Sequence, residues 1–326
     1  MKRTFSVIAL VLAFSLTACS KEEVTKNYFN IRQKIERKDG RAVILPPPVA
    51  PQAPEFPTEA EIQAKIAENL AYINSKIVEK DGKTTYYFVT QKDKDGKNIY
   101  PLTDDKNKAD YYRVILGKTK EGFCAVQDFN ANGNKQIEPF IERDIEFCNR
   151  LDSSDKPLDR LVDIYYGKEG KIKSFTYLDI KNKQRFVFGY NQNGEEKAAV
   201  RVFDISEPSN KKLTEFYFNE NGRDDEYKSS ISVAEFNGEE IVKSGVFLYF
   251  GTHLKNIDCI IQYNHIAQDK KQIMWFPQKD ENVAVYVDDD PKYGENNKKL
   301  FDRYKKWMKY TEEEFNFRLS QNSNNQ

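Results

Sequence analysis

The sequence predicts a mainly β (α+β) fold: an antiparallel meander sheet of hairpins with an N-terminal helix and C-terminal helices. Short runs of β-branched and aromatic residues recur between residues 161 and 287, and turn dipeptides such as Asn193-Gly194 and Asn237-Gly238 separate them. Asn-Gly supplies the positive φ angles that two-residue hairpin turns need, and closely spaced hairpins make neighbouring strands antiparallel. Helical periodicity is found before and after the β-rich part of the chain.

The first helix is predicted to begin at Thr58, to run to about Val78 and to stop near Asp81-Gly82. Thr58 is expected to cap the helix while Glu61 reaches back to the Thr58 backbone. A single apolar stripe on this helix predicts packing against one surface, most simply a sheet. The stripe contains Ile62, Ile66, Ile73 and Ile77, with Leu70 close by.

Strands are predicted from Tyr86 to Val89, from Tyr111 to Leu116, and about nine more times between Leu161 and Val287. In the strand around Cys259, alternation places this cysteine on the apolar side. Cys259 is therefore expected to be a buried free thiol.

Two helices are predicted at the C-terminal end. Thr311, followed by three glutamates, is expected to cap the second and shorter helix. Residues 321–326 are polar and are predicted to form a disordered tail. The apolar positions of the first of these helices follow helical spacing: Leu300, Phe301, Tyr304, Trp307 and Met308.

The turn sequences of the β-rich region recur loosely. Residues 190–194 and 218–222 share an aromatic-Asn-x-Asn-Gly pattern, and residues 166–170 are a weaker version of it. Over residues 161–236 this pattern resembles the hairpin repeats of MORN-variant and YD-repeat proteins. The resemblance implies a stacked hairpin sheet, and no catalytic residues come with it.

The charge balance excludes some classes of protein. The chain has 51 Lys and Arg residues, 51 Asp and Glu residues and two His residues. A formal net charge of zero argues against a nucleic-acid-binding protein, which would usually have a basic domain or stripe. No internal run of about 20 apolar residues exists, so a multi-span membrane protein is excluded. Two His residues leave little room for a His-rich metal site.

The N-terminal residues resemble those of a bacterial lipoprotein. Lys2 and Arg3 precede an apolar segment over residues 4–14, which is too short to span a bilayer. The sequence Leu-Thr-Ala-Cys that ends at Cys19 then resembles a lipobox. The resemblance implies that residues 1–18 are a signal peptide and that Cys19 receives a diacylglyceryl thioether and an N-acyl group. The alternative is an ordinary secretory signal followed by a free cysteine.

The resemblance also implies a location. In enterobacterial-type sorting, an Asp directly after the lipidated cysteine resembles an inner-membrane retention signal, and here that position is Ser20. The expectation is therefore lipid anchoring to the outer membrane, with the domain on either its periplasmic face or the cell surface.

Residues 19–57 are predicted to form a lipidated Pro-rich tether, and residues 58–320 a β-rich globular domain with flanking helices. Half of the 12 prolines lie between residues 46 and 57. Such a stretch favours extended polyproline II and acts as a semi-rigid spacer. The alternative for this stretch is a ligand for an SH3-like domain.

Cys124 and Cys148 are predicted to form a disulfide. In an oxidising envelope compartment, two nearby cysteines often pair. A bridge over this sequence separation stabilises the fold by about 3 kcal/mol in the chain-entropy model.

Asp128, Asn130, Asn132 and Gly133 match the first half of a calcium loop of the EF-hand type. Oxygen ligands at the first, third and fifth positions, with Gly at the sixth, suit a hard cation. The second half of the loop does not match, because Pro139 stands where a bidentate Glu belongs. Calcium is therefore a weak candidate cofactor, and an Asn-Gly turn between strands is the alternative.

His253, Cys259 and His265 are evenly spaced, which is a pattern that could hold zinc. Six residues of extended strand separate neighbours by about 20 Å, however, and this distance is too long for shared ligation. Only an intervening turn would bring them together, and no zinc site is predicted.

The leading functional hypothesis is a lipid-anchored, non-enzymatic binding protein of the cell envelope. Its membrane contact is the lipid, and its partner is another envelope protein or a glycan, not a nucleic acid. No nucleophile elbow, P-loop or dinucleotide fingerprint is found in the sequence. The alternative is an envelope glycan hydrolase that uses an Asp/Glu pair, since carboxylates are abundant. A cleft with two close carboxylates would favour the hydrolase.

Overall fold

The computed structural model describes residues 51–151, 157–191, 197–218, 229–249, 259–264, 271–276, 281–286 and 291–323. The chain forms two compact units. The N-terminal unit consists of Glu55–Ala198 and the chain from Glu312 onward, and the C-terminal unit contains Ala199–Thr311. Antiparallel strands build both units, which confirms the predicted mainly β fold.

The first helix, α1 (Glu59–Lys76), begins where the capping pattern predicts. The Thr58 backbone N–H donates to the Glu61 carboxylate at 2.7 Å, and the Glu61 backbone N–H donates to the Thr58 hydroxyl at 3.3 Å. The helix ends before the predicted Val78, because a strand begins directly after it at Ile77, which pairs with Thr119. β-branched residues favour this extended conformation.

The buried face of α1 differs from the predicted stripe at one position. Ile73 is fully buried, but Leu70 is 44% exposed. Asn69 is buried instead, and its side-chain amide donates to the Pro139 carbonyl at 2.9 Å. Its side-chain oxygen accepts from the Leu161 backbone N–H at 2.8 Å. A buried amide is tolerated here because both of its ends are hydrogen-bonded.

Short antiparallel strands follow α1 in the N-terminal unit. They are β1 (Ile77–Lys80), β2 (Thr85–Phe88), β3 (Gln91–Lys92), β4 (Asn98–Ile99), β5 (Tyr111–Thr119), β6 (Cys124–Asn130) and β7 (Phe140–Glu142). The first sheet has the order β1-β5-β6-β7, and β2 pairs with another part of β5. Strands β3 and β4 form a separate hairpin. Strands β2 and β5 confirm the two strand predictions for this region.

Ten further strands are described between residues 162 and 286. They are β8 (Val162–Tyr166), β9 (Ile172–Asp179), β10 (Gln184–Tyr190), β11 (Lys197–Asp204), β12 (Lys211–Phe218), β13 (Ser229–Asn237), β14 (Glu240–Tyr249), β15 (Cys259–Asn264), β16 (Lys271–Phe276) and β17 (Glu281–Tyr286). In the N-terminal unit, β9 pairs with both β8 and β10. In the C-terminal unit, β11 to β17 pair antiparallel in chain order.

The predicted turn glycines divide into two groups. Gly170 and Gly238 have φ angles of +77° and +60°, as the turn prediction requires. Gly194 and Gly222, at the centre of the repeat-like pattern, lie outside the described residues.

A single helix, α2 (Pro291–Ser323), replaces the two predicted C-terminal helices. Thr311 is not a cap, because it is fully buried and its hydroxyl donates to the Trp307 carbonyl one turn earlier at 2.9 Å. This bond satisfies the hydroxyl without breaking the helix. The helix also includes residues 321–323, which the sequence assigns to a disordered tail.

The core of the C-terminal unit combines strand residues with the buried side of α2. The Trp307 ring meets Phe203 edge-on, with centroids 6.5 Å apart. The largely inaccessible apolar residues of the unit include Val200, Phe203, Leu213, Phe216, Ile231, Phe236, Leu300, Tyr304 and Met308.

The end of the Pro-rich segment packs on the N-terminal unit. Phe56 meets Phe188 and Tyr190 of β10 edge-on, with ring centroids 5.2 and 5.4 Å away. The Lys197 ammonium lies 5.0 Å from the Phe56 ring centroid, within the range of a cation–π contact. The end of this segment at Phe56 therefore packs on β10.

The last turns of α2 belong to the N-terminal unit, and buried ion pairs hold them within it. Arg318 donates to Asp159 at 2.8 Å, and Asp159 also accepts from the Tyr72 hydroxyl at 2.7 Å. Glu314 lies 3.1 Å from Arg185 of β10. Because these groups are buried, removing one partner would leave an uncompensated charge.

Gly117→Ala is expected to destabilise the N-terminal unit by about 1–3 kcal/mol. A Cβ atom there would lie 2.5 Å from the Glu79 carbonyl oxygen and 2.5 Å from Ile77 Cγ2, so β1 and β5 would have to separate. Urea unfolding followed by circular dichroism measures the change. Gly167→Ala is the control, since its Cβ would mainly meet the flexible end of Lys173. Equal losses in both variants would contradict the close β1–β5 packing.

Candidate interaction site

Cys124 and Cys148 form the disulfide that the sequence predicts. Their sulfur atoms are 2.10 Å apart, and their Cα atoms are 5.7 Å apart. Cys124 begins β6, and Cys148 follows the 3₁₀ turn Ile145–Phe147. The bridge therefore holds this turn against the first sheet.

Asp128, the first residue of the candidate calcium loop, is bound by Arg113 directly opposite on β5. Arg113 Nε donates to Asp128 Oδ1 at 2.6 Å, and Nη2 donates to Oδ2 at 2.7 Å. The third guanidinium nitrogen, Nη1, donates to the Phe147 carbonyl at 2.8 Å. Arg113 is 2% exposed and Asp128 is 5% exposed. Both oxygens of this carboxylate are thus committed to the guanidinium.

The other two candidate calcium ligands bond to the backbone. Asn130 donates through its side chain to the Asn134 carbonyl at 3.3 Å. The Asn132 side-chain oxygen accepts from the Asn134 backbone N–H at 3.0 Å, and its amide donates to the Lys168 carbonyl at 2.9 Å. The segment is an extension of β6 that ends in a turn at Gly133, where φ is +88°. This arrangement matches the alternative to a calcium loop, which is an Asn-Gly turn between strands.

The side chains of the possible zinc pattern, His253, Cys259 and His265, lie outside the described part of the chain. No group of three or more His, Cys, Asp or Glu residues is arranged there to hold a metal ion. Cys259 begins β15, and its side chain is outside the described part. Cys19, His253 and His265 lie outside the described residues, so lipidation of Cys19 stays a prediction.

A row of three aromatic rings crosses the first sheet. Tyr87 of β2 is paired with Tyr112 of β5, and Tyr112 is paired with Phe129 of β6. The ring centroids of Tyr87 and Tyr112 are 6.1 Å apart, and those of Tyr112 and Phe129 are 4.9 Å apart with nearly parallel planes. All three side chains are partly exposed. We call these residues the aromatic row.

The next cross-strand set borders the aromatic row on the same face. It consists of Thr85, Val114 and Gln127, which are paired across the same three strands and are also partly exposed. Side chains alternate along a strand, so these residues lie two positions from the rings and point to the same side. Two polar side chains thus flank the rings and can fix the orientation of a bound partner.

The opposite face of these strands is closed. Each ring of the aromatic row has one sequence neighbour that is no more than 5% exposed. These neighbours are Phe88, Arg113 and Asp128. An antiparallel sheet usually presents polar residues on its solvated face and apolar ones inward. Here the inner face contains an ion pair, and the solvated face carries aromatic rings. The partly exposed aromatic rings mark the open face as a candidate interaction site.

The sequence predicted the strands of this site but not the aromatic row. Tyr86-Tyr87 and Tyr111-Tyr112 are adjacent pairs, so the sequence does not state which tyrosine of each pair points inward. The decisive signal is the charge pattern, because Arg113 and Asp128 can be buried only opposite one another.

The hydrolase alternative needs two accessible carboxylates. Two carboxylates that influence each other do occur in the N-terminal unit, on Asp163 of β8 and Glu314 of α2. Burial raises the pKa of Asp163, and the Arg160 guanidinium opposes this shift. Asp163 is 9% exposed and Glu314 is 6% exposed, with Arg160 and Arg185 against them. A glycan could not reach this pair without opening the unit.

No protein-family model matches this chain, and no curated protein matches it either. The described helices include none that is both long enough and apolar enough to cross a membrane. The interpretation of function therefore rests on the residues themselves.

Saturating calcium is expected to leave the melting temperature unchanged. A ligand that binds only the folded state at about a hundred times its Kd would add about 2.7 kcal/mol of stability. Such binding is not expected, because both Asp128 oxygens are bonded to Arg113. Scanning calorimetry with calcium, and with magnesium at equal ionic strength, measures the effect. A calcium-specific rise that Asn132→Ala removes would contradict this expectation.

Proposed function

We propose that this chain is a lipid-anchored, non-enzymatic binding protein of the bacterial cell envelope. The lipobox pattern that ends at Cys19 supports the anchor, and Ser20 after it supports the outer membrane. The disulfide between Cys124 and Cys148 supports an oxidising compartment, because such bridges persist mainly outside the cytosol.

The aromatic row is the observation that carries the binding part of the proposal. Tyrosine and phenylalanine supply large contact areas at a low cost in conformational entropy, and aromatic residues are enriched in the energetic centres of interfaces. The rings are held in one line by the cross-strand pairing of three strands. A preformed row of this kind binds without first having to be ordered. Its partner in this proposal is another envelope protein.

The Pro-rich segment supports the same assignment. An extended polyproline segment from residue 46 to residue 57 would reach roughly 37 Å. It would hold the domain away from the bilayer, because its last part is fixed to β10 through Phe56. The open face of the first sheet would then be accessible to proteins that lie above the membrane.

Site-specific crosslinking in intact cells tests the binding surface. The photoreactive residue p-benzoylphenylalanine is placed at Gln127, beside the aromatic row, in the full-length protein. Irradiation is expected to give a discrete crosslinked species on an immunoblot. Tyr112→Ser in the same protein should remove this species, because losing a central ring of an interface costs about 2 kcal/mol or more.

Two controls make the crosslinking result specific. The photoreactive residue at Gln63, on the exposed side of α1, should give no such species. Tyr165→Ser changes a tyrosine that is 42% exposed outside the aromatic row, and it should leave the Gln127 crosslink unchanged. The binding proposal fails if Gln127 gives no crosslink, or if Tyr112→Ser and Tyr165→Ser have equal effects.

A further inference from the structure

Positive charge is concentrated in one stretch of α2. Between Pro291 and Thr311 the helix has seven Lys and Arg residues and two acidic residues, although the whole chain has a net charge of zero. The charge balance of the whole chain therefore conceals a local excess of five positive charges. This stretch belongs to the C-terminal unit.

The cations lie on one side of the helix. At 3.6 residues per turn, five of them fall within an arc of about 140°. All five are exposed, and Asp302 is an acidic residue within the same arc. We call this set the basic face of α2; it consists of Lys298, Lys299, Arg303, Lys306 and Lys309.

The other side of α2 is buried in the C-terminal unit. Leu300, Tyr304 and Met308 are between 2% and 4% exposed. Interfacial helices bind a bilayer by inserting an apolar face, and charge attraction adds to that contact. The apolar face of α2 is already used for folding, so the helix presents charge without a lipid-inserting surface.

Trp307 lies at the border between the two sides and is partly exposed. The Arg303 guanidinium is 4.9 Å from its ring centroid, and the Arg201 guanidinium is 4.7 Å from it. The position of Arg201 is fixed by Glu215, because Arg201 Nε donates to the Glu215 carboxylate at 2.5 Å. Glu215 is 1% exposed. Glu215 also accepts from the Tyr304 hydroxyl at 3.2 Å. In this network Glu215 balances the charge of Arg201.

We propose that the basic face of α2 binds a linear acidic polysaccharide, with Trp307 at its edge. The cations extend along the helix for roughly 16 Å, which suits a polymer with repeated negative charges. Carboxylates of such a polymer would pair with Arg303 and with the lysines beside it. The exposed part of Trp307 can contact the CH groups of a sugar ring that binds beside Arg303. This site is separate from the aromatic row and does not depend on the lipid anchor.

The test uses full-length protein in non-ionic detergent and polygalacturonate, a chain with one carboxylate per sugar. Binding is measured over a series of salt concentrations, with uncharged dextran as the reference glycan. The variant Arg303→Gln/Lys306→Gln/Lys309→Gln removes three exposed cations of the basic face. It is expected to weaken binding at least tenfold, and to reduce the slope of log K against log salt by about 2 if each contact releases about 0.7 counterions.

The chain offers a control of equal charge. Lys92→Gln/Lys94→Gln/Lys97→Gln removes three exposed lysines around the β3–β4 hairpin. This control should bind polygalacturonate within about twofold of the unchanged protein, a difference of about 0.4 kcal/mol. Thermal unfolding of both triple variants verifies that each is folded, since all six positions are exposed.

Defined results would overturn the inference. Absence of binding to polygalacturonate, or equal weakening by the two triple variants, would show that the basic face is only a solvated surface. Binding to phosphatidylglycerol vesicles or single-stranded DNA as tightly as to polygalacturonate would contradict the assignment to a glycan. Selective binding to polygalacturonate, lost only in the α2 variant, would support it.

Discussion

The buried pair of Arg113 and Asp128 fixes the register on which the candidate interaction site depends. The two residues face each other across β5 and β6, and Tyr112 and Phe129 are their immediate neighbours on the outer face. A slip of one residue would turn the rings inward and the charges outward. The disulfide-held turn adds the Phe147 carbonyl as a third acceptor for Arg113. Breaking such a buried pair costs about 3–5 kcal/mol, so it specifies one pairing even where its net stabilisation is small.

Features that local sequence determines were predicted well. The cap at Thr58 and the positive φ angle at Gly238 depend on a few adjacent residues, and both are present in the structure. The disulfide follows from two cysteines that are close in sequence. Thr311 shows where local reasoning fails, because the same residue type can cap a helix or bond back to the preceding turn inside one. Tertiary packing of α2 decides between them.

The binding state of Asp128 and the aromatic row depend on contacts between distant residues, and for this reason the sequence alone did not reveal them. Asp128 matches a calcium ligand until Arg113, fifteen positions earlier, is placed opposite it. The exposed aromatic row requires knowledge of which of two adjacent tyrosines faces inward. The basic face of α2 is absent from the overall charge, because acidic residues elsewhere in the chain cancel it. Charge has to be counted along each element before a class of partner is excluded.

The proposed location in the cell envelope depends on Cys19 as the point of attachment to the membrane. Loss of Lys2 and Arg3 with the signal peptide would leave a mature chain with a net charge of −2, which gives little attraction to anionic lipid. The most direct measurement is the mass of the N-terminal tryptic peptide of the membrane-purified protein. The account predicts that this peptide begins at Cys19 and carries a diacylglyceryl thioether and an N-acyl chain. A different mature N-terminus, or a Cys19 without acyl chains, would contradict it.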